Sequence, residues 1–169
     1  MTTDFLTLLH RDHDDLERAL QELLDAESAV DIRTTLDGVR LGLTAHAEAE
    51  DIVLYQALTR ANSDRVLEAL VQDAHDQHVA QERALQSLVS APPHSPQWRE
   101  SIQRLRDLVR DHAEQEESRI LPALREVMPK VYEALAGEFA TERLRQLAML
   151  QPSAPICMPE ELRAASFID

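Results

Sequence analysis

The chain has 169 residues, 44% of them hydrophobic and only 3 of them glycine, with a formal net charge of −14. That length suits one domain able to bury a core without staples. The charge disfavours nucleic acid and anionic lipid as partners, and no apolar run nears the roughly 18 residues of a membrane-spanning helix.

The opening, MTTDFLTLLHRDHDDL, has no basic flank before its apolar residues and does not read as a signal peptide. The single Cys157 cannot close an internal disulfide, which fits a cytoplasmic protein. Helical periodicity fills the long segments and strand alternation is almost absent, so an all-α class is expected. A first helix is predicted from about Asp4 to Ala26, with Leu6, Leu9, Leu16, Leu20 and Leu23 at helical spacing. A second runs from about Ile32 to Arg60, and Ala61-Asn62-Ser63-Asp64 then offers N-cap residues to a third, from about Ser63 to Val89. The break SAPPHSPQ holds three prolines and precedes a fourth helix, from about Gln97 to Glu126, in which Pro122 predicts a kink or an early end. Short connections between helices of similar length imply an up-down-up-down four-helix bundle over residues 1–128. Residues 129–169 are expected to form a C-terminal helix, about Lys130 to Met149, and a Pro-rich tail packing on the bundle.

The chain repeats itself. HAEAEDIVLYQAL (His46 to Leu58) returns as HAEQEESRILPAL (His112 to Leu124), and HRDHDDLERALQEL (His10 to Leu23) returns as HDQHVAQERALQSL (His75 to Leu88). These pairs read as a duplicated helical hairpin with pseudo-twofold symmetry. In an antiparallel hairpin, residues equidistant from the connecting loop share a level. The midpoints of His13/His46, His46/His78 and His78/His112 fall at 29.5, 62 and 95, each inside a break. Four histidines on four helices therefore stand at one height on apolar stripes.

Glu50 and Glu116 follow His46 and His112 by one turn on the same face, and His10 and His75 reach that second level from the other two helices. Asp51 and Glu117, about 100° further round, are expected in solvent. Tyr55 is expected at the surface or at an interface, about opposite His46, and His94 in a solvent-facing loop. Glu17 and Glu82 project to the far side, as solvated or outlying acids. Buried imidazoles and carboxylates would be costly without a partner, and a metal pair removes that cost. The ligand set expected from these patterns is His13, His46, Glu50, His78, His112 and Glu116, with His75 either a ligand or its support, and His10 less so. Nitrogen and oxygen donors suit iron or manganese, with zinc also admissible, and no thiolate is in range for an iron–sulfur cluster.

These residues resemble the hemerythrin-like (HHE cation-binding) family, over about residues 1 to 128. Asp12-His13, His46/Glu50, His78 with His75, and His112/Glu116 followed by EESRILPAL match its pattern. The resemblance implies a non-haem di-iron centre bridged by Glu50, Glu116 and a solvent-derived oxo or hydroxo group. His75, His78 and His112 would hold one iron and His13 with His46 the other, leaving a position for oxygen, peroxide or nitric oxide. It implies a role in stress response or iron homeostasis, or else a catalase- or peroxidase-like enzyme using Glu17 or Glu82 as an acid. Oxygen-carrying hemerythrins pair third-helix histidines i,i+4 and end in His-x-x-x-x-Asp. Here His75 and His78 are i,i+3 and the fourth helix carries His-x-x-x-Glu. A coordinating His10 would close the vacancy and count against reversible oxygen carriage.

Overall fold

A computed structural model describes residues 4–60 and 65–151 of the chain. Within them α1 spans Phe5–Asp25 and ends at Ala26, whose extended backbone cannot continue a helix. Ser28 then caps α2: its hydroxyl oxygen accepts from the Asp31 backbone N–H at 3.0 Å, so the helix begins at Ala29 rather than near Ile32. α2 runs Ala29–Glu50, widens into a π turn over Asp51–Tyr55, and resumes as Gln56–Arg60. α3 is Arg65–Ser90. The proposed cap at residues 61–64 lies outside the described residues.

His94 turns the next connection with φ 63°. Ser95 caps α4 by accepting from Trp98 N–H at 3.1 Å, and Pro96 occupies the first turn, where its missing N–H costs nothing. α4 runs Pro96–Gln115, takes a π turn over Glu116–Ile120, and continues as Leu121–Val127. Pro122 therefore does not end the helix. The wide turn before it absorbs the proline ring that a regular α-turn would clash with. Met128 leaves the helical region ahead of Pro129, and α5 follows as Pro129–Leu150. The Pro-rich tail lies outside the described residues.

Helices α1 to α4 form the antiparallel four-helix bundle, each packed on its sequence neighbours and α4 closing back on α1. α5 lies along the outside of α2 and against the first turns of α1. The apolar interior has two separate clusters. One gathers Phe5, Leu9, Leu54, Leu121 and Leu124 with Tyr132, Leu135 and Phe139 of α5. The other gathers Leu16, Leu20, Leu43, Leu88, Trp98 and Leu105. Between them lies a layer of buried polar side chains. Among the described residues, no helix is long and apolar enough to cross a membrane.

Candidate metal centre

The four histidines predicted to share a level do so, and each helix of the bundle contributes one. His13, His46, His112, Glu50 and Glu116 each bring one ligand atom into a group whose members all lie within 4.8 Å of one another. His78 joins them: its Nε2 is 3.1 Å from Glu50 Oε2 and 3.1 Å from His112 Nε2. Glu50 is the hub, with Oε1 2.9 Å from His46 Nε2 and Oε2 3.4 Å from His112 Nε2. Glu116 Oε2 stands 3.6 Å from His13 Nε2 and 3.7 Å from His112 Nε2. The rings pair as expected, His78 with His112 at 4.6 Å between centroids and His13 with His46 at 4.8 Å.

Outside this layer every imidazole is tied through Nδ1. His13 meets Glu117 at 2.8 Å, His46 meets Asp12 at 3.3 Å, His78 meets Asp51 at 3.3 Å, and His112 meets Gln77 at 3.0 Å. With the proton on Nδ1, each ring donates outward and turns its Nε2 lone pair to the centre. This is how a protein fixes the tautomer and direction of a metal-binding histidine. The inward atoms His13 Nε2, His46 Nε2, Glu50 Oε1 and Glu116 Oε2 are buried without a hydrogen-bond partner. Leaving such atoms unmatched costs about 1–3 kcal/mol each. Imidazole nitrogens and carboxylate oxygens converging in one buried layer fit cations, which would displace the protons that the imidazoles hold in their absence.

Several expectations are corrected. His75 is not brought into the cluster. Its side chain is exposed and its Nδ1 lies 3.6 Å from Asp51, because the i,i+3 step from His78 rotates it toward the α2–α3 seam. His10 is likewise exposed, with Nδ1 2.9 Å from Glu117. Asp51 and Glu117 are not left to solvent, since each receives a buried imidazole. Tyr55 is buried rather than superficial, and its hydroxyl donates to Glu116 Oε1 at 2.6 Å. At about 100° per residue it would face away, but the π turn returns it to the face of Glu50. Glu17 pairs with Arg106 at 2.8 Å and Glu82 is exposed, so neither touches the centre. His94 is exposed, as expected.

Asp12 was singled out only as part of the Asp12-His13 motif, with no role of its own, and Gln77, Phe139 and Arg143 were not foreseen as parts of the site. A signal for the first two lay in the repeat, where Asp12 and Gln77 each precede a ligand histidine in corresponding positions. Arg143 of α5 makes an ion pair with Asp12, which in turn holds His46. Phe139 of α5 sets its ring 5.8 Å from that of His46.

Burial alone would push the His46 imidazole down, but Glu50 and Asp12 outweigh it and carry it up to about 10. In His78 burial is likewise overcome by Asp51 and Glu50, which bring it to about 9. Burial works to raise Glu50, yet His46, His112 and His78 hold it well below the usual carboxylate range. Glu116 moves the other way, raised by burial and by the charge of Glu50. A histidine raised on folding stabilises the fold fully below its unfolded value of 6.5 and loses that contribution as pH climbs through its folded value. Metal-free protein should therefore lose thermal stability between about pH 6.5 and 10. Glu50, being lowered, acts only on the acid side, where its contribution disappears as pH falls below 4.5. A metal-free Tm that stays flat across the alkaline window would contradict this charge pattern. A bound ion would replace those protons, so loading should release protons and strengthen with pH.

Tyr55→Phe isolates the phenol. The ring still packs, but Glu116 Oε1 loses a buried donor, which should cost the metal-free fold about 1–3 kcal/mol in chemical denaturation. An unchanged midpoint would mean that this hydrogen bond contributes nothing.

Histidine and glutamate donors from all four helices of one bundle, backed by carboxylates and an amide, define a metal-binding bundle of the histidine–carboxylate class. The family model described as the Hemerythrin HHE cation binding domain matches residues 4–124, and the chain belongs to that family. It is also 29% identical over 118 residues to a protein named DNA nickase from Nostoc sp. (strain PCC 7120). The match covers 70% of this chain and 32% of that protein, so the chain spans about a third of its relative's length. No solved structure matches.

Proposed function

We propose that this cation-binding bundle is a non-haem di-iron protein that binds or senses a small ligand of the oxygen, peroxide or nitric oxide class. A cytoplasmic role in stress response or iron homeostasis goes with that reading. The observation that carries it is the pairing of inward imidazoles, His13 with His46 and His78 with His112, around two shared carboxylates. Four imidazole nitrogens and four carboxylate oxygens fall short of the roughly twelve donors that two six-coordinate ions ask for. With His10 and His75 turned outward, the remaining positions are left to solvent and small ligands. These eight donors amount to about four per ion, a number that also serves zinc, so the choice of iron rests on the resemblance to the hemerythrin-like family and not on the donor count. Bound iron would supply one-electron redox change and Lewis acidity to that ligand. The protein side holds the imidazoles in one tautomer, screens the centre with apolar clusters, and keeps the Tyr55 proton on its oxygen through burial and the charges of Glu116 and Glu50.

The nickase's name describes that relative. For this chain, the net charge of −14 weighs against a phosphate-backbone partner. The test is metal content and the visible spectrum of oxidised protein purified without a tag. Close to two irons per chain with an oxo-bridged di-iron band is the expected result, and well under one iron per chain overturns it. Oxygen evolution from peroxide that disappears in His46→Ala would instead favour a catalase-like enzyme.

A further inference from the structure

His10 and His75 stand in corresponding places of the duplicated hairpin, and each begins the same three-step ladder. Along α1–α4 it is His10, Glu117, His13, with side-chain exposures of 57%, 25% and 5%. Along α2–α3 it is His75, Asp51, His78, with 53%, 32% and 6%. In each ladder one carboxylate touches both the outer and the inner imidazole. Glu117 reaches His10 at 2.9 Å and His13 at 2.8 Å. Asp51, one carbon shorter, reaches His75 at 3.6 Å and His78 at 3.3 Å.

Each ladder also faces its own cavity. One of about 260 Å³ is lined by His10, His13, Asp14, Glu17 and Glu117 among others. The other, about 280 Å³, is lined by Glu48, Asp51, His75, His78 and Glu82. Glu17 and Glu82, which contribute nothing at the centre, are the corresponding acids of the two cavities.

We infer that these ladders are two routes by which divalent cations reach the buried centre, with His10 and His75 as their outermost, transient ligands. This rests on the layer between the apolar clusters being a metal centre. A hydrated ion cannot cross the apolar clusters, since burying an unpaired charge there is prohibitively costly. It can exchange water for ligands in steps where imidazole and carboxylate donors follow one another inward. The acids around each mouth and the chain's net charge raise the local cation concentration. Because His13 pairs with His46 and His78 with His112, each ladder serves one half of the site.

Metal-free protein mixed anaerobically with Co²⁺, followed by its visible absorption, tests the assignment. Wild type should load in two phases. His10→Ala should slow one phase about tenfold and His75→Ala the other, with release to excess EDTA slowed by the same factor. Final stoichiometry and Kd should stay unchanged, as befits residues on the path rather than at its end. Loss of an outer support for a ligand predicts the opposite signature, a Kd raised ~10–100-fold with unchanged uptake, and that result overturns the proposal. Unchanged uptake in the double variant overturns it as well. Wild type that takes up under one ion per chain fails differently, by removing the metal centre itself.

Discussion

Glu50→Gln will yield a folded bundle that has lost its metal. Glu50 lies within 4.0 Å of His13, His46, His78 and His112, and among the described residues no other side chain is found against all four. The amide keeps the shape but removes the negative charge and offers one carbonyl oxygen in place of two carboxylate oxygens. Loss of a supporting group outside the ligands costs about 10–100-fold in metal affinity, so loss of the shared ligand itself should exceed ~100-fold. Metal content after dialysis measures it directly. The same change also strips the metal-free protein of the charge that holds its imidazoles together. Removing one partner of a buried ion pair costs about 3–5 kcal/mol, so the metal-free Tm should fall too. A variant that retains full metal would show that the Glu50 carboxylate is not needed to hold it.

The second large effect lies outside the family-matched residues 4–124. Phe139→Ala on α5 should destabilise the protein by about 3–5 kcal/mol, the usual range for removing a fully buried phenylalanine. Its ring makes edge contacts with Phe5 and His46, both at 5.8 Å, and it is wholly buried. The cavity left behind would open beside His46 and lie next to the Arg143–Asp12 pair that holds that imidazole. We therefore expect weaker metal retention at the His13/His46 half than at the His78/His112 half, read as unequal release of two ions to a chelator. Equal release, with stability alone reduced, would mean that α5 supports the fold without shaping the site.

Much of this centre could be read from spacing. Antiparallel helices joined by short loops reflect one another through those loops, so His13, His46, His78 and His112 could be levelled by arithmetic on residue numbers. Glu50 and Glu116 followed from the i,i+4 rule. Part of what escaped depends on a change of helical phase. The π turns at Asp51–Tyr55 and Glu116–Ile120 break the regular period, and with it the placing of Tyr55, while Asp51 and Glu117 escaped because an imidazole from a neighbouring helix reaches each of them. Nothing local in DIVLY or EESRI announces an extra residue per turn. His75 failed for a simpler reason: a level says how far along a helix a residue stands, and only its rotation says whether it points inward. Phe139 and Arg143 had no repeated counterpart to expose them, because α5 falls outside the duplicated hairpin.

The polar layer also divides the core, with one apolar cluster on either side and few apolar contacts crossing it. If each cluster is a cooperative unit, then in metal-free protein they are joined across this layer chiefly by the ion pairs of the imidazoles with Glu50. A cation held by residues of all four helices would then act as a mechanical clamp at mid-bundle. With it in place the two halves should melt as one. Without it, the end sealed by α5 and the end built around Trp98 can open independently, and hydrogen exchange would register two protection free energies where the loaded protein has one.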